Sequence, residues 1–121
     1  MHAHFGDPLV VDSNYFYKIS QGKTGIAILE GYVIFDLDHS VEVKDVTGKM
    51  LGKADVIFTL QTKISSLSKK YLKSAGHASK EFLRRDLIIR YPHKKIIEWI
   101  TVVKFLPTIK MINREENMTQ T

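Results

Sequence analysis

Cysteine is absent from this 121-residue chain. That excludes a disulfide framework and thiolate metal sites, and it leaves a reducing compartment compatible with every other feature. Long apolar runs are missing too, since no stretch approaches the ~18 uncharged apolar residues of a membrane span. The opening MHAHFGDP has no basic segment followed by an apolar run, so it does not read as a secretory leader. Internal repeats, linkers and low-complexity tracts are also lacking. The five histidines, His2, His4, His39, His77 and His93, form no helical i, i+4 pair and have no thiolate company, so neither a structural metal nor a cofactor is implied. These absences point to a cytoplasmic, soluble protein without a membrane partner. Its length supports one core that buries roughly two thirds of the unfolded surface.

What is present is charge, unevenly spread. The formal net charge is +5, but residues Lys63 to Lys95 hold ten of the basic residues against only Glu81 and Asp86, a net of +8. The remainder carries eight basic and eleven acidic residues. Within one small domain such asymmetry makes a positive face that attracts a polyanion, unless the lysines merely solvate a helical surface.

The most strongly patterned stretch is Gly76 to Tyr91, GHASKEFLRRDLIIRY. Ser79 is a good N-cap, Glu81 favours the positive end of the helix dipole, and Pro92 disfavours helical geometry at the residue before it. Leu83, Leu87 and Tyr91 recur every fourth residue and share one face. Phe82 and Ile89 form a second apolar stripe on the far side, with Arg85 between them, which calls for a covering element or a partner such as a second copy of the chain. A shorter helix capped by Ser65 or Ser66 runs to about Ser74, with Leu67, Tyr71 and Leu72 inward and Lys69, Lys70 and Lys73 turned away. An early helix spans Asn14 to Gln21 after Asp12 or Ser13, and Gly22 suits its C-terminal αL position.

The rest reads as strands. Leu9 to Val11 is a short one, while Thr24 to Leu29 and Tyr32 to Leu37 flank Glu30-Gly31, a turn or bulge. Val41 to Val46 and the return strand from Met50 form a hairpin around Thr47-Gly48-Lys49. Period-two alternation puts Ala54, Val56, Phe58 and Leu60 on one face and Asp55, Ile57, Thr59 and Gln61 on the other. Ile96 to Leu106 is a central strand with apolar residues on both faces. Ile109 to Ile112 can add an edge piece, and residues 113–121 lack periodicity and read as a frayed tail. Strand faces this apolar in so few strands are most economically buried by an α+β domain, here residues 1–112, whose sheet curls into a small mixed barrel of five or six strands with two or three helices plugging or flanking it.

Four of these pieces resemble the ASCH domain of the PUA-like superfamily, over about Tyr15 to Phe105. They are Gly22-Lys23-Thr24 after a helix; Asp45, Gly48, Leu51, Gly52, Ala54 and Val56; Ser79, Glu81, Leu83, Leu87 and Tyr91; and Thr101-Val102-Val103-Lys104-Phe105. The resemblance implies a PUA-like barrel and RNA binding. One branch is similar to small amidohydrolases that remove the acetyl group from N4-acetylcytidine, and there Lys23 would be the catalytic position. The chain departs from that branch. Gly25 to Glu30 supplies neither its second threonine nor its arginine, its glutamate falls at or near Gly76, and no acid occurs between Lys63 and Lys80. An amide hydrolase needs a group to activate water and a donor for the oxyanion, and Lys23 covers one role at most. A carboxylate from elsewhere, such as Glu30 or Asp38, would have to reach it.

The expected function is therefore RNA binding without catalysis, through Lys23, Thr24, Lys69, Lys70, Lys73, Arg84 and Arg85. The alternatives are the amidohydrolase centred on Lys23 and a protein-interaction module using Phe82 and Ile89. Gly22-Lys23-Thr24 is not a phosphate loop, because Tyr17 stands where that motif needs a glycine.

Overall fold

In the computed structural model the described residues are 3–5 (backbone only), 8–20, 22–35, 40–94 and 96–108. The alternation at the end of the chain becomes β7, Trp99–Pro107, which is covered on both sides: Thr101, Val103 and Phe105 face one core, Ile100 and Val102 another, and all five are buried. It pairs antiparallel with β6 (Met50–Lys63) on one edge and with β3 (Gly25–Glu30) on the other. β5 (Ser40–Lys44) continues the sheet beyond β6, and β2 (Leu9–Val10) adds parallel to β5. The order β2-β5-β6-β7-β3 brings the terminal strands β2 and β3 beside each other, so this mixed sheet is a nearly closed barrel. β1 (Ala3–Phe5) and β4 (Tyr32–Ile34) pair in parallel as a separate ribbon. With α1 (Ser13–Ile19), α2 (Lys69–Ser74) and α3 (Lys80–Arg90), the protein is an α+β domain, a small mixed barrel flanked by helices.

The inner core joins Phe16 and Ile19 of α1 to Leu9, Leu29, Val43, Val103 and Phe105. The outer core lies on the opposite face of β3 and β7, where Ile26, Ile28, Ile100 and Val102 meet Leu72 of α2 and Leu83 and Leu87 of α3. The stripe of α3 thus packs against the outside of the barrel rather than closing it. Gly25 stands at the point of closest approach to the inner core. A methyl group there would run into Ile19 Cδ1 and come within 2.8 Å of Phe105 Cζ, which is why a glycine opens β3.

Local chemistry fixes the boundaries. Asp12 caps α1 by accepting from the Tyr15 N–H at 3.2 Å. In the β5–β6 turn, Asp45 Oδ1 accepts from the Thr47 N–H (2.8 Å), the Thr47 hydroxyl (2.6 Å) and the Lys49 N–H (3.0 Å). Those bonds, led by the Thr47 hydroxyl, hold its carboxyl below the usual range. Ser79 caps α3 through the Phe82 N–H at 3.2 Å, and the helix ends on the bond from the Tyr91 N–H to the Leu87 carbonyl, 2.8 Å.

Three expectations are corrected. The cap of α2 is Ser68, not Ser65 or Ser66, because the chain leaving β6 first makes a 3₁₀ turn over Ile64–Ser66 that buries Ile64. The last strand starts at Trp99 rather than Ile96, since its partner β6 ends at Lys63, and Ile96 is left 84% exposed. The alternation of β6 breaks at Ile57, where an extra residue opposes β7, with Val56 against Phe105 and Phe58 against Lys104. Ala54 and Val56 therefore face the inner core, whereas Leu60 joins the outer one and Phe58 turns to the surface. The stretches at Asp38, Ile109 to Ile112 and residues 113–121 lie outside the described residues.

Candidate functional site

The lysines of α2 are exposed because Leu72 claims the inward position of this short helix and Leu67 is buried just before it. Across from them, α3 presents Arg84 one position after the buried Leu83. Between the two helices lies a groove of about 710 Å³ lined by Lys69, Lys73, Lys80 and Arg84, with Glu81 as its one acid and His77 at its end. Lys80 Nζ donates to the Ser65 carbonyl at 2.6 Å, which fixes its stem across the groove wall. Arg84 Nη2 stands 3.6 Å from Glu98 Oε2, and both side chains are open to solvent. Bonds from Ser65 and, less, the Arg84 charge hold the Glu98 carboxyl below its ordinary range. Among the described residues Lys69 and Lys73 have no ion pair, so their charge is available to a ligand.

The expected binding residues divide among three surfaces, with Lys23 apart from all of them. Lys69, Lys73 and Arg84 share the groove just described. Lys70 and Thr24 line a second groove of about 480 Å³ on the other side of α2, together with Tyr71, Phe58 and Lys104. Arg85 sits on the outer face of α3, its guanidinium 5.6 Å from the centre of the Phe82 ring, beside the 71%-exposed Ile89. Lys23 is exposed at the turn after α1, its N–H donating to the Ile19 carbonyl at 3.0 Å, and it lines none of the grooves described here.

A more enclosed cleft of about 320 Å³ opens beside the Gly76 loop, walled by Asp12, Tyr15, His77, Asp86 and Arg90 over the backbone of β3. Arg90 Nη2 donates to Asp86 Oδ2 at 3.1 Å, while its Nε and Nη1 are buried with no acceptor among the described residues. The Tyr15 hydroxyl accepts from the Ile26 N–H at 2.7 Å, and burial raises its pKa against that bond. Burial lowers the His77 pKa, against the pull of Asp86 and with a smaller push from the Arg90 charge, which favours the neutral imidazole. Sequence reasoning missed this pair of carboxylates. Asp12 reads as a helix cap and Asp86 as one of two acids in the basic stretch, and it is the packing of α3 against β3 that lets both line one cleft. Of the two acids that the hydrolase would need to bring to Lys23, Glu30 sits at the opposite end of β3, where its Oε1 is 3.9 Å from Lys94 Nζ, and Asp38 lies outside the described residues. The cleft holds proton-transfer groups, but not the lysine on which the hydrolase depends.

Compared with protein-family models, curated proteins and solved structures, the chain gives no match. Among the described residues no helix is long and apolar enough to cross a membrane.

Proposed function

We propose that this protein is an RNA-binding module of the ASCH, PUA-like kind, acting without catalysis, and that the groove between α2 and α3 seats the RNA backbone. The carrying observation is the convergence of Lys69, Lys73, Lys80 and Arg84 on one open groove that contains a single acid. Cations so arranged contact phosphates, and each contact releases condensed counterions, so affinity falls steeply with salt. A chain free of cysteine suits the reducing cytoplasm where such RNA resides. Deacetylation of N4-acetylcytidine has less support, because Lys23 stands apart from the cleft that holds Asp12, Asp86 and His77.

Fluorescence anisotropy with labelled RNA at two or more salt concentrations tests the reading. Binding at low salt is expected, with a slope of log affinity against log salt that becomes shallower by about 2 when Lys69, Lys73 and Arg84 are all replaced by glutamine. No detectable binding at low salt would sink it.

A further inference from the structure

The bulge in β6 creates a surface that neither the groove between the helices nor the cleft explains. Strict alternation would return Phe58 to the face of Ala54 and Val56. The extra residue at Ile57 leaves both side chains at the surface instead, Ile57 47% and Phe58 44% exposed. Bulges re-aim side chains in this way, and exposing a phenylalanine costs burial that an ordinary strand would keep. Phe58 is register partner to Lys104 of β7, which is exposed. Across the groove of about 480 Å³ stand Lys70 and Tyr71 of α2. An open aromatic face between two lysines, with Ile57 as an apolar wall, is the combination by which proteins hold single-stranded nucleic acid: the ring stacks on a base while the cations meet the flanking phosphates.

α2 is shared by the two surfaces. Lys69 and Lys73 point into the groove toward α3, and Lys70 and Tyr71 into the groove of Phe58. A backbone crossing this one-and-a-half-turn helix meets phosphate contacts on both sides. In a duplex the base faces are stacked within the helix and none is offered to Phe58. We infer that Phe58 is a stacking platform for an unpaired base, flanked by Lys70 and Lys104, and that the protein consequently prefers single-stranded RNA to duplex. This rests on the RNA-binding reading above and gives it a strand preference.

The experiment compares a short single-stranded RNA of mixed sequence with the duplex it forms with its complement, by anisotropy at low salt. Phe58→Ala and Phe58→Leu are expected to weaken single-strand binding by roughly 5- to 150-fold while changing duplex binding by less than about 2-fold. Phe58→Trp keeps the stacking face and retains the affinity. Leucine preserves apolar bulk, and thermal melts of the variants separate lost stacking from lost folding. Wild-type single-strand affinity left intact in Phe58→Leu, or an equal loss for both RNAs, would overturn the stacking role and leave the groove between the helices as the binding surface. Failure of the wild-type protein to bind either RNA would remove the RNA-binding reading itself. Capture of an acidic peptide that depends on Phe58, with RNA binding unaltered by the same variant, would reassign this groove to a protein partner.

Discussion

At the scale of single residues, two side chains test the physics most directly. Thr101 is the one polar side chain among the described residues that is fully buried, and its hydroxyl is used in both directions: it donates to the Gly31 carbonyl at 2.7 Å and accepts from the Val33 N–H at 3.0 Å. It thereby clamps the turn between β3 and β4 to β7 near the start of that strand. Thr101→Val keeps the shape and strands a buried donor and acceptor, so a loss of about 1–3 kcal/mol is expected in urea unfolding. A loss below about 0.5 kcal/mol would mean that water or other groups satisfy them. His77 makes a prediction in pH. Its folded pKa lies below the ordinary 6.5, mainly through burial, so the unfolded chain binds the proton more readily. Its contribution to stability is complete above 6.5 and is lost as pH falls from there toward the folded value. The carboxyls of Asp45 and Glu98 are lowered from ordinary values of 3.8 and 4.5, so their contributions persist across that window and fail only in stronger acid. The melting temperature of wild type should therefore drop more than that of His77→Gln between pH 7.5 and 5.5. Equal drops would assign the acid sensitivity elsewhere.

At the scale of elements, the choice of helix cap separates what the sequence determines locally from what packing decides. Ser65, Ser66 and Ser68 all precede a helical pattern, and local preference does not rank them. The ranking comes from the length of β6 and the burial of Ile64, both tertiary facts. Ser68→Ala is accordingly expected to cost about 1 kcal/mol by chemical denaturation, and Ser66→Ala within about 0.5 kcal/mol of nothing. The reverse order would put the cap back at Ser66. α3 was legible in full because cap, periodic leucines and Pro92 agree with one another. The two faces of β7 were legible because apolar residues stand on both, Val103 and Phe105 on one and Ile100 and Val102 on the other. The bulge was not, since an extra residue at Ile57 leaves no trace in a run that alternates plausibly without it. The site was legible as charge but not as geometry. Consecutive helical residues point roughly 100° apart, so Arg84 reaches the groove and its neighbour Arg85 the opposite face beside Phe82. The lysines of α2 divide between two grooves for the same reason.

At the scale of the whole molecule, β3 and β7 are walls of both cores, with alternate residues of each strand in the inner and the outer cluster. The outer core has no sheet of its own, so α2 and α3 have no apolar surface to rest on once the barrel opens. The barrel in turn loses cover over Ile26, Ile28, Ile100 and Val102 on its outer face if the helices leave. The two should melt together. Leu9→Ala in the inner core and Leu87→Ala in the outer, both fully buried, are each expected to lose about 2–5 kcal/mol. Fluorescence of Trp99, the sole tryptophan and the first residue of β7, should nonetheless trace the same transition as far-UV circular dichroism in both variants. Distinct midpoints in Leu87→Ala, with the dichroic change first, would show that the helical layer is a separate unit. The outcome bears on function, because the basic groove is built wholly from that layer. If the layer is bound to the barrel's fate, Leu9→Ala leaves the proposed RNA affinity unchanged at temperatures where the variant is folded and abolishes it through the same transition in which Trp99 changes. If it is not, Leu87→Ala loses affinity while the barrel still stands.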